Sequence, residues 1–433
     1  MRARWARAWP ELEPATEHRP GKVERITRRF RDVRLPSPAV GFLTAAAWCL
    51  AVYSWVGLYR LTDRGSGLGW DLLTPWRAER IFAHGGAPYA VKSFVYPPSC
   101  LLLLRPLGSL TRHQLTVGGL VGTLVIAWVS VMLSAHALGK RWWGITAALT
   151  IWLLHFTEAM RGELSLENVT VLAFLGLALC YVFALRGHWI AAAAAIGLSL
   201  SVKPLLLVVL LVFLLARQWK AFAVAVAIPA LLNLVAFAIV ADPSGVWSKL
   251  PSILNRSGYG VNFNSAWVDV ARVLGLPEGV SILLRLVTVA LVVLGALLAW
   301  SGLRDARLQL VTTTSLLLIG SFLSGTLSEY HFMLTLVPLA MTVILPSSPM
   351  RTVTGVIGTL WIMGLFVLPD SVLGTNKTAT HSAFRAFGMA LVLLTVIAVL
   401  LRRRRDTPAG LGSGATDVAQ RRPETAAGEP VSA

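Results

Sequence analysis

Residues 220–241 read KAFAVAVAIPALLNLVAFAIVA. Beyond Lys220 the stretch carries no charge. A helix rising about 1.5 Å per residue over this length reaches about 30 Å, the thickness of a bilayer's hydrocarbon core. The pattern repeats on both sides. Apolar segments occur at 39–59, 96–111, 115–137, 143–157, 164–185, 188–202, 203–216, 279–300, 308–327, 330–346, 351–369 and 383–401. So many runs in series predict an all-α integral membrane protein.

The 433 residues are 55% hydrophobic and only 14% charged, against about 25% charged in soluble domains. The net charge of +18 comes from 39 Lys and Arg against 21 Asp and Glu. Much of it lies in residues 1–34, in short loops and in Arg402–Arg405. That placement fits the positive-inside rule and anionic lipid rather than nucleic acid. Cys49, Cys100 and Cys180 are far apart in apolar surroundings, without metal or disulfide spacing, and read as small hydrophobes. The organisation expected is a basic cytoplasmic segment (1–38), a membrane domain (39–401) and a disordered cytoplasmic tail (402–433) rich in Gly, Pro, Ala and Thr. No cleavable leader stands out, and the first span is expected to start insertion itself.

Thirteen crossings would separate two basic termini. Counting back from Arg402–Arg405 puts Arg351, Arg304/Arg307, Arg217/Lys220, Arg186 and Lys140/Arg141 on the cytoplasmic side. The conflict falls on segment 96–111, which contains Pro97, Pro98, Pro106 and Arg105. It is predicted to be a re-entrant element, leaving about twelve crossings. Irregular backbone at that depth requires protein or a wet cavity around it.

This topology gathers polar residues on the outer face, where ionisable groups at membrane depth mark a functional site. The loop 60–95 holds an amphipathic stretch, Leu72–Phe82, suited to the membrane interface. Asp71, just before it, reads either as a helix N-cap or as a general base for an acceptor hydroxyl. Lys203, before Pro204, either snorkels or binds a phosphate. In Arg161-Gly-Glu-Leu-Ser-Leu-Glu-Asn168, helical spacing would put Glu163 and Glu167 on one face. With Asn168 they are candidates for binding an acceptor sugar, unless Arg161 merely neutralises the pair. Glu329 and His331 open an apolar span, and His331 suits a structural hydrogen bond or a phosphate oxygen. Tyr259, Asn262 and Asn264 sit in a loop of amides, aromatics and glycines that suits sugar hydroxyls or an ordinary polar loop.

Tyr96-Pro97-Pro98, Leu198-Ser-Leu-Ser-Val-Lys-Pro204, Arg217-Gln-Trp219 and Ser328-Glu-Tyr-His331, in that order, resemble the polyprenyl-phosphate-sugar transferases of glycosyltransferase family 87, which have the GT-C membrane fold. The resemblance covers roughly residues 40–400. Val202-Lys-Pro-Leu-Leu206 and Leu250-Pro-Ser-Ile-Leu254 resemble the arabinofuranosyl-transferring members most. It implies a polyprenyl-phosphate sugar donor, a glycan or glycolipid acceptor, a plasma-membrane location and an active site on the extracytoplasmic side. Asp71 matches the first-loop base of such enzymes, with Asp63 as the other choice. Lys203, His331, Arg105 and Tyr96 would hold the donor phosphate. Many relatives have an acidic residue followed closely by an aromatic, whereas this chain has Gly69-Trp70-Asp71. The implied reaction inverts the anomeric centre. No carboxylate cluster forms an obvious cation cage, so neither metal nor other cofactor is expected. Mannose transfer is the alternative within the family, and a transporter or flippase the alternative outside it. Two related halves with broken helices, common in transporters, are not evident.

Overall fold

The computed structural model describes residues 38–62, 69–242, 244–254, 264–325, 328–365 and 377–406. In chain order the helices are α1 (Pro38–Thr62), α2 (Trp70–Ala83), α3 (Pro98–Leu103), α4 (Arg112–Ala137), α5 (Ile145–Leu154), α6 (Glu158–Leu166), α7 (Thr170–Leu185), α8 (Trp189–Val202) and α9 (Leu210–Leu215). They continue with α10 (Trp219–Ile239), α11 (Gly245–Leu254), α12 (Trp267–Val273), α13 (Glu278–Gly302), α14 (Ala306–Ser324), α15 (Val337–Met341), α16 (Val353–Ile362) and α17 (Lys377–Asp406). Among the described residues there is no strand. The β-type pairing present is an isolated bridge between Asn264 and Glu329.

Among the described residues, five helices (α4, α10, α13, α14 and α17) are long and apolar enough to cross a membrane. Burial separates their roles. Thr312, Thr314, Leu316, Leu318 and Ile319 of α14 are all buried, which makes α14 central. On α13 the exposed residues Ile282, Leu286, Val289, Val293 and Leu297 recur at helical spacing. Such a stripe faces lipid in a membrane protein, since water would not tolerate it. Helix association in lipid relies on close packing through small residues. At Gly358 of α16 an added Cβ would lie 3.0 Å from the Gly388 carbonyl oxygen, and at Gly388 of α17 one would lie 2.8 Å from the Gly358 oxygen. Neither position has room for a side chain without separating the two helices.

Segment 96–111 does not form one long helix. The six-residue α3 is followed by a 3-10 turn, Arg105–Ser109. Protein surrounds its start. Ser99 Oγ donates to the Ser201 carbonyl at 2.6 Å, and Ser99 N donates to Asn233 Oδ1 at 3.1 Å. Asn233 in turn donates to the carbonyl of Pro229 at 2.8 Å. One mid-helix amide thus serves a proline-containing turn of α10 and the irregular backbone beside it. The amphipathic stretch forms α2, but Asp71 does not cap it. Gly69 is the N-cap, at φ 74°, and Asp71 lies in the first helical turn. The N-cap reading of Asp71 is therefore corrected: the chain needs a left-handed residue to enter α2, and glycine takes that conformation at least cost.

Cys100 and Cys180 are buried, Cys49 is exposed, and none is in a disulfide. Tyr259 and Asn262 lie outside the described residues, as do Asp63 and both terminal segments up to 37 and from 407.

Candidate active site

The turn between α6 and α7 grips the start of α2. Gly69 N donates to the Ser165 carbonyl at 2.9 Å. Two residues on, Asp71 Oδ2 accepts from Asn168 Nδ2 at 2.6 Å. The orientation of the Asn168 amide follows from its other partners. Its Oδ1 accepts from Thr170 N at 2.9 Å, Thr170 Oγ1 at 2.7 Å and Lys203 Nζ at 3.0 Å. Three donors require an oxygen there, so the NH2 end must face the carboxylate. A charge-assisted bond then holds Asp71 in one position while leaving it half-exposed.

Lys203 reaches this network because α8 ends at it. The residue before a proline is pushed out of the helical region, and Lys203 is extended at φ −149° and ψ 124°. Its ammonium also donates to Thr170 Oγ1 at 3.0 Å and sits 4.6 Å from the Phe332 ring centroid. It points into the protein rather than snorkelling outward. Glu329, Asp71 and Glu163 are the charges acting on it. Tyr96 is buried and feels Asp71, Glu329 and Glu163, so the Tyr-Pro-Pro segment contributes to the same cluster.

From the opposite side, the start of the 3-10 turn Tyr330–Leu336 delivers Glu329, its N-cap, and His331, its second residue. His331 Nε2 lies 2.8 Å from Glu329 Oε2, with His331 buried and Glu329 partly exposed. Asn264 positions this segment: its Oδ1 accepts from Ser328 N at 2.6 Å and from Ala266 N at 3.1 Å, and its amide donates to Asp269. The structure thus gives Asn264 a scaffold role instead of the sugar contact expected of it.

Glu163 and Glu167 do not share a helical face. Glu163 is inside α6, fully buried, and its Oε1 accepts from Val171 N at 3.0 Å. Glu167 ends the helix in the left-handed region, at φ 51°. That conformation costs a non-glycine residue about 1–2 kcal/mol. Both Glu167 oxygens are buried without a hydrogen-bond partner. Arg161 is exposed and donates to the Phe156 carbonyl rather than to either acid. Arg105 is also exposed, and acts on Glu79 in the last turns of α2. Glu79 is eight residues beyond Asp71, roughly 12 Å along the helix. Burial raises the Glu79 carboxyl to about 7, and Arg105 opposes the rise. Arg105 is therefore not gathered with Lys203 and His331. The structure brings together Asp71, Asn168, Lys203, Glu163, Glu329, His331 and Tyr96, with Glu167 beside them.

Two groups absent from the sequence-based set bear on this cluster. Thr170 bridges Asn168 and Lys203. Arg385, in the first half of α17, is fully buried and donates to Glu158, to Ser382 Oγ at 2.9 Å and to Ser265 Oγ at 3.1 Å. A charge inside an apolar run is the signal that marks Arg385 in the sequence.

Gly119 offers a test. A Cβ at Gly119 of α4 would stand 2.1 Å from Glu167 Oε2 and 2.7 Å from Leu72 Cδ2, whereas Gly118 has nothing within 4 Å. Gly119→Ala should displace the start of α2 and lower turnover at least several-fold. Gly118→Ala should keep full turnover and gain up to about 1 kcal/mol from helix propensity. Equal effects in a turnover assay would show that the contact is unimportant.

Comparison with known proteins matches residues 94–328 to the model of glycosyltransferase family 87. The alpha-(1->3)-arabinofuranosyltransferase of Mycolicibacterium smegmatis is 31% identical over 327 residues, covering 72% of this chain and 74% of that protein. The Mycobacterium tuberculosis protein of the same name is 29% identical over 398 residues, covering 86% and 88%. That of Corynebacterium glutamicum is 25% identical over 380 residues, covering 82% and 87%. No solved structure gives a significant match. The family match takes in Tyr96, Glu163, Asn168 and Lys203, while Asp71 and His331 lie outside it. With more than half of its length matched, the chain belongs to glycosyltransferase family 87 and is a membrane glycosyltransferase.

Proposed function

We propose that the protein transfers an arabinofuranosyl unit from a polyprenyl-phosphate donor to a cell-wall arabinan acceptor, forming an α-(1→3) branch. The observation that carries the reading is the hydrogen-bonded chain from Asp71 through Asn168 to Lys203. It gives a half-exposed carboxylate one fixed orientation, as a general base requires. The activity for which the relatives are named supports the choice of sugar and linkage.

In the proposed step an acceptor hydroxyl oxygen attacks the anomeric carbon. Asp71 takes the hydroxyl proton as the new bond forms. The bond from the anomeric carbon to the phosphate oxygen breaks on the opposite side, and its electron pair leaves with polyprenyl phosphate. A β-linked donor thereby gives an α-linked product. Lys203 and His331 are proposed to stabilise the phosphate as it departs, in a cavity poor in water where such help is strongest. Tyr96 borders that position. Glu163, Glu329 and the turn bearing Glu167 are proposed to border the acceptor sugar.

The chain is proposed to cross the plasma membrane about twelve times, with segment 96–111 re-entrant and the site on the extracytoplasmic side. The bonds from Ser99 to Ser201 and Asn233 support the re-entrant reading, because protein supplies the partners that its irregular backbone lacks. The test offers purified protein labelled polyprenyl-phosphate arabinose or mannose, with an arabinan oligosaccharide as acceptor. The expected outcome is release of polyprenyl phosphate and a new α-(1→3) arabinofuranosyl branch with the first donor alone. Transfer from the mannose donor alone would overturn the sugar assignment, and transfer from neither would overturn the acceptor or the donor class.

A further inference from the structure

We propose that the protein binds an anionic phospholipid in a cavity at the end of the fold opposite Asp71. The cavity, about 440 Å³, lies between the first half of α1, from Val40 to Trp48, and the α4–α5 turn with the start of α5, from Lys140 to Thr146. Its position along α4 separates it from the catalytic cluster. Gly119 touches Glu167, and Ala137 is the last residue of α4 before the cavity's turn. Eighteen residues of helix set them roughly 27 Å apart. The donor phosphate and this cavity are therefore different sites.

The lining matches a lipid with a charged head. Val40 and Trp48 lie eight residues apart, so the α1 wall is about 12 Å long. The two walls are tied by Trp48 Nε1, which donates to the Trp143 carbonyl at 3.0 Å. Lys140, Arg141 and Trp143 are exposed at the mouth, and the Arg141 guanidinium lies 5.6 Å from the Trp143 ring centroid. Tryptophan at the mouth suits the headgroup level of a bilayer, and two cations beside an apolar trough suit an anionic headgroup. The lining contains no Asp or Glu.

The surroundings are also basic. Arg307 Nη1 donates to the Leu138 carbonyl at 3.3 Å, and Arg186 contacts His136. Asp305, the acid nearby, is engaged at the start of α14 by Arg307 N at 2.9 Å. This end is the one that the basic loops assign to the cytoplasmic leaflet, which is rich in anionic lipid. The inference does not rest on the sugar-transfer reading.

The test uses the full chain in detergent, titrated separately with phosphatidylglycerol, phosphatidylcholine and inorganic phosphate and read by native mass spectrometry. Phosphatidylglycerol should bind at least about 10-fold more tightly than phosphatidylcholine, since each cation near an anionic headgroup contributes substantially. The double variant Lys140→Ala/Arg141→Ala should remove that preference. Arg402→Ala/Arg405→Ala, which deletes equal charge at the end of α17, should keep it. Equal binding of the two lipids, equal losses in the two double variants, or displacement of the lipid by inorganic phosphate at matched concentration would each overturn the proposal.

Discussion

Asp71→Asn is expected to lower kcat by about 10²–10⁴-fold, the range that a positioned general base contributes, while donor affinity stays within about twofold. The substitution keeps the size and planarity of the side chain. It also keeps an oxygen that can accept from Asn168 Nδ2, now bonded to Asp71 Oδ2 at 2.6 Å. What disappears is basicity. A second variant separates basicity from placement. Asn168→Ala leaves the Asp71 carboxylate intact but removes the group that orients it, and also removes an acceptor of Lys203 Nζ at 3.0 Å. Its loss should be smaller than that of Asp71→Asn and should appear in both kcat and KM. Equal single-turnover rates in Asp71→Asn and the parent protein would eliminate the base role, because binding and product release do not enter that measurement.

The periodicity of apolar runs made the fold class legible, and it marked the segment that could not be a simple span. Segment 96–111 carries three prolines, and the structure breaks it into a short helix and a 3-10 turn. That Asp71, Lys203, Glu329 and His331 would gather into one candidate cluster was legible, because charges next to apolar spans are costly and stand out. The connections were not. That Asn168 lies between Asp71 and Lys203 depends on a left-handed residue at Glu167, which a helical reading of Glu163 and Glu167 does not contain. The family resemblance put Arg105 near the phosphate, whereas in the structure its charge acts on Glu79. Asn264 looked like a sugar ligand by composition. Its amide instead serves the backbone around Ser328, a use that no local pattern announces.

Arg385 shows the same limit and yields the second large effect. Glu158→Ala should destabilise the protein more than Arg385→Met, although both remove the same ion pair. The reason is where each partner sits. Arg385 is 1% exposed and cannot lose its proton, whereas the Glu158 side chain is 27% exposed and has His381 Nδ1 at 3.9 Å. Deleting Glu158 strands a buried cation, a loss of about 3–5 kcal/mol in the range seen for broken buried pairs. Deleting Arg385 leaves a carboxylate that water can reach, so the cost should be about 1–3 kcal/mol. The double variant should recover part of the loss of Glu158→Ala, since it no longer leaves a buried cation without its carboxylate. Melting temperatures of the three variants in detergent decide the matter. The reverse order would mean that the serine hydroxyls of Ser265 and Ser382, rather than Glu158, satisfy the guanidinium. The effect also reaches the site, because Ser265 accepts from Arg385 through its hydroxyl and donates its backbone N–H to Ser328 at 2.8 Å. Ser328 precedes Glu329 and His331, so a loosened Arg385 should raise KM before it lowers the yield of folded protein.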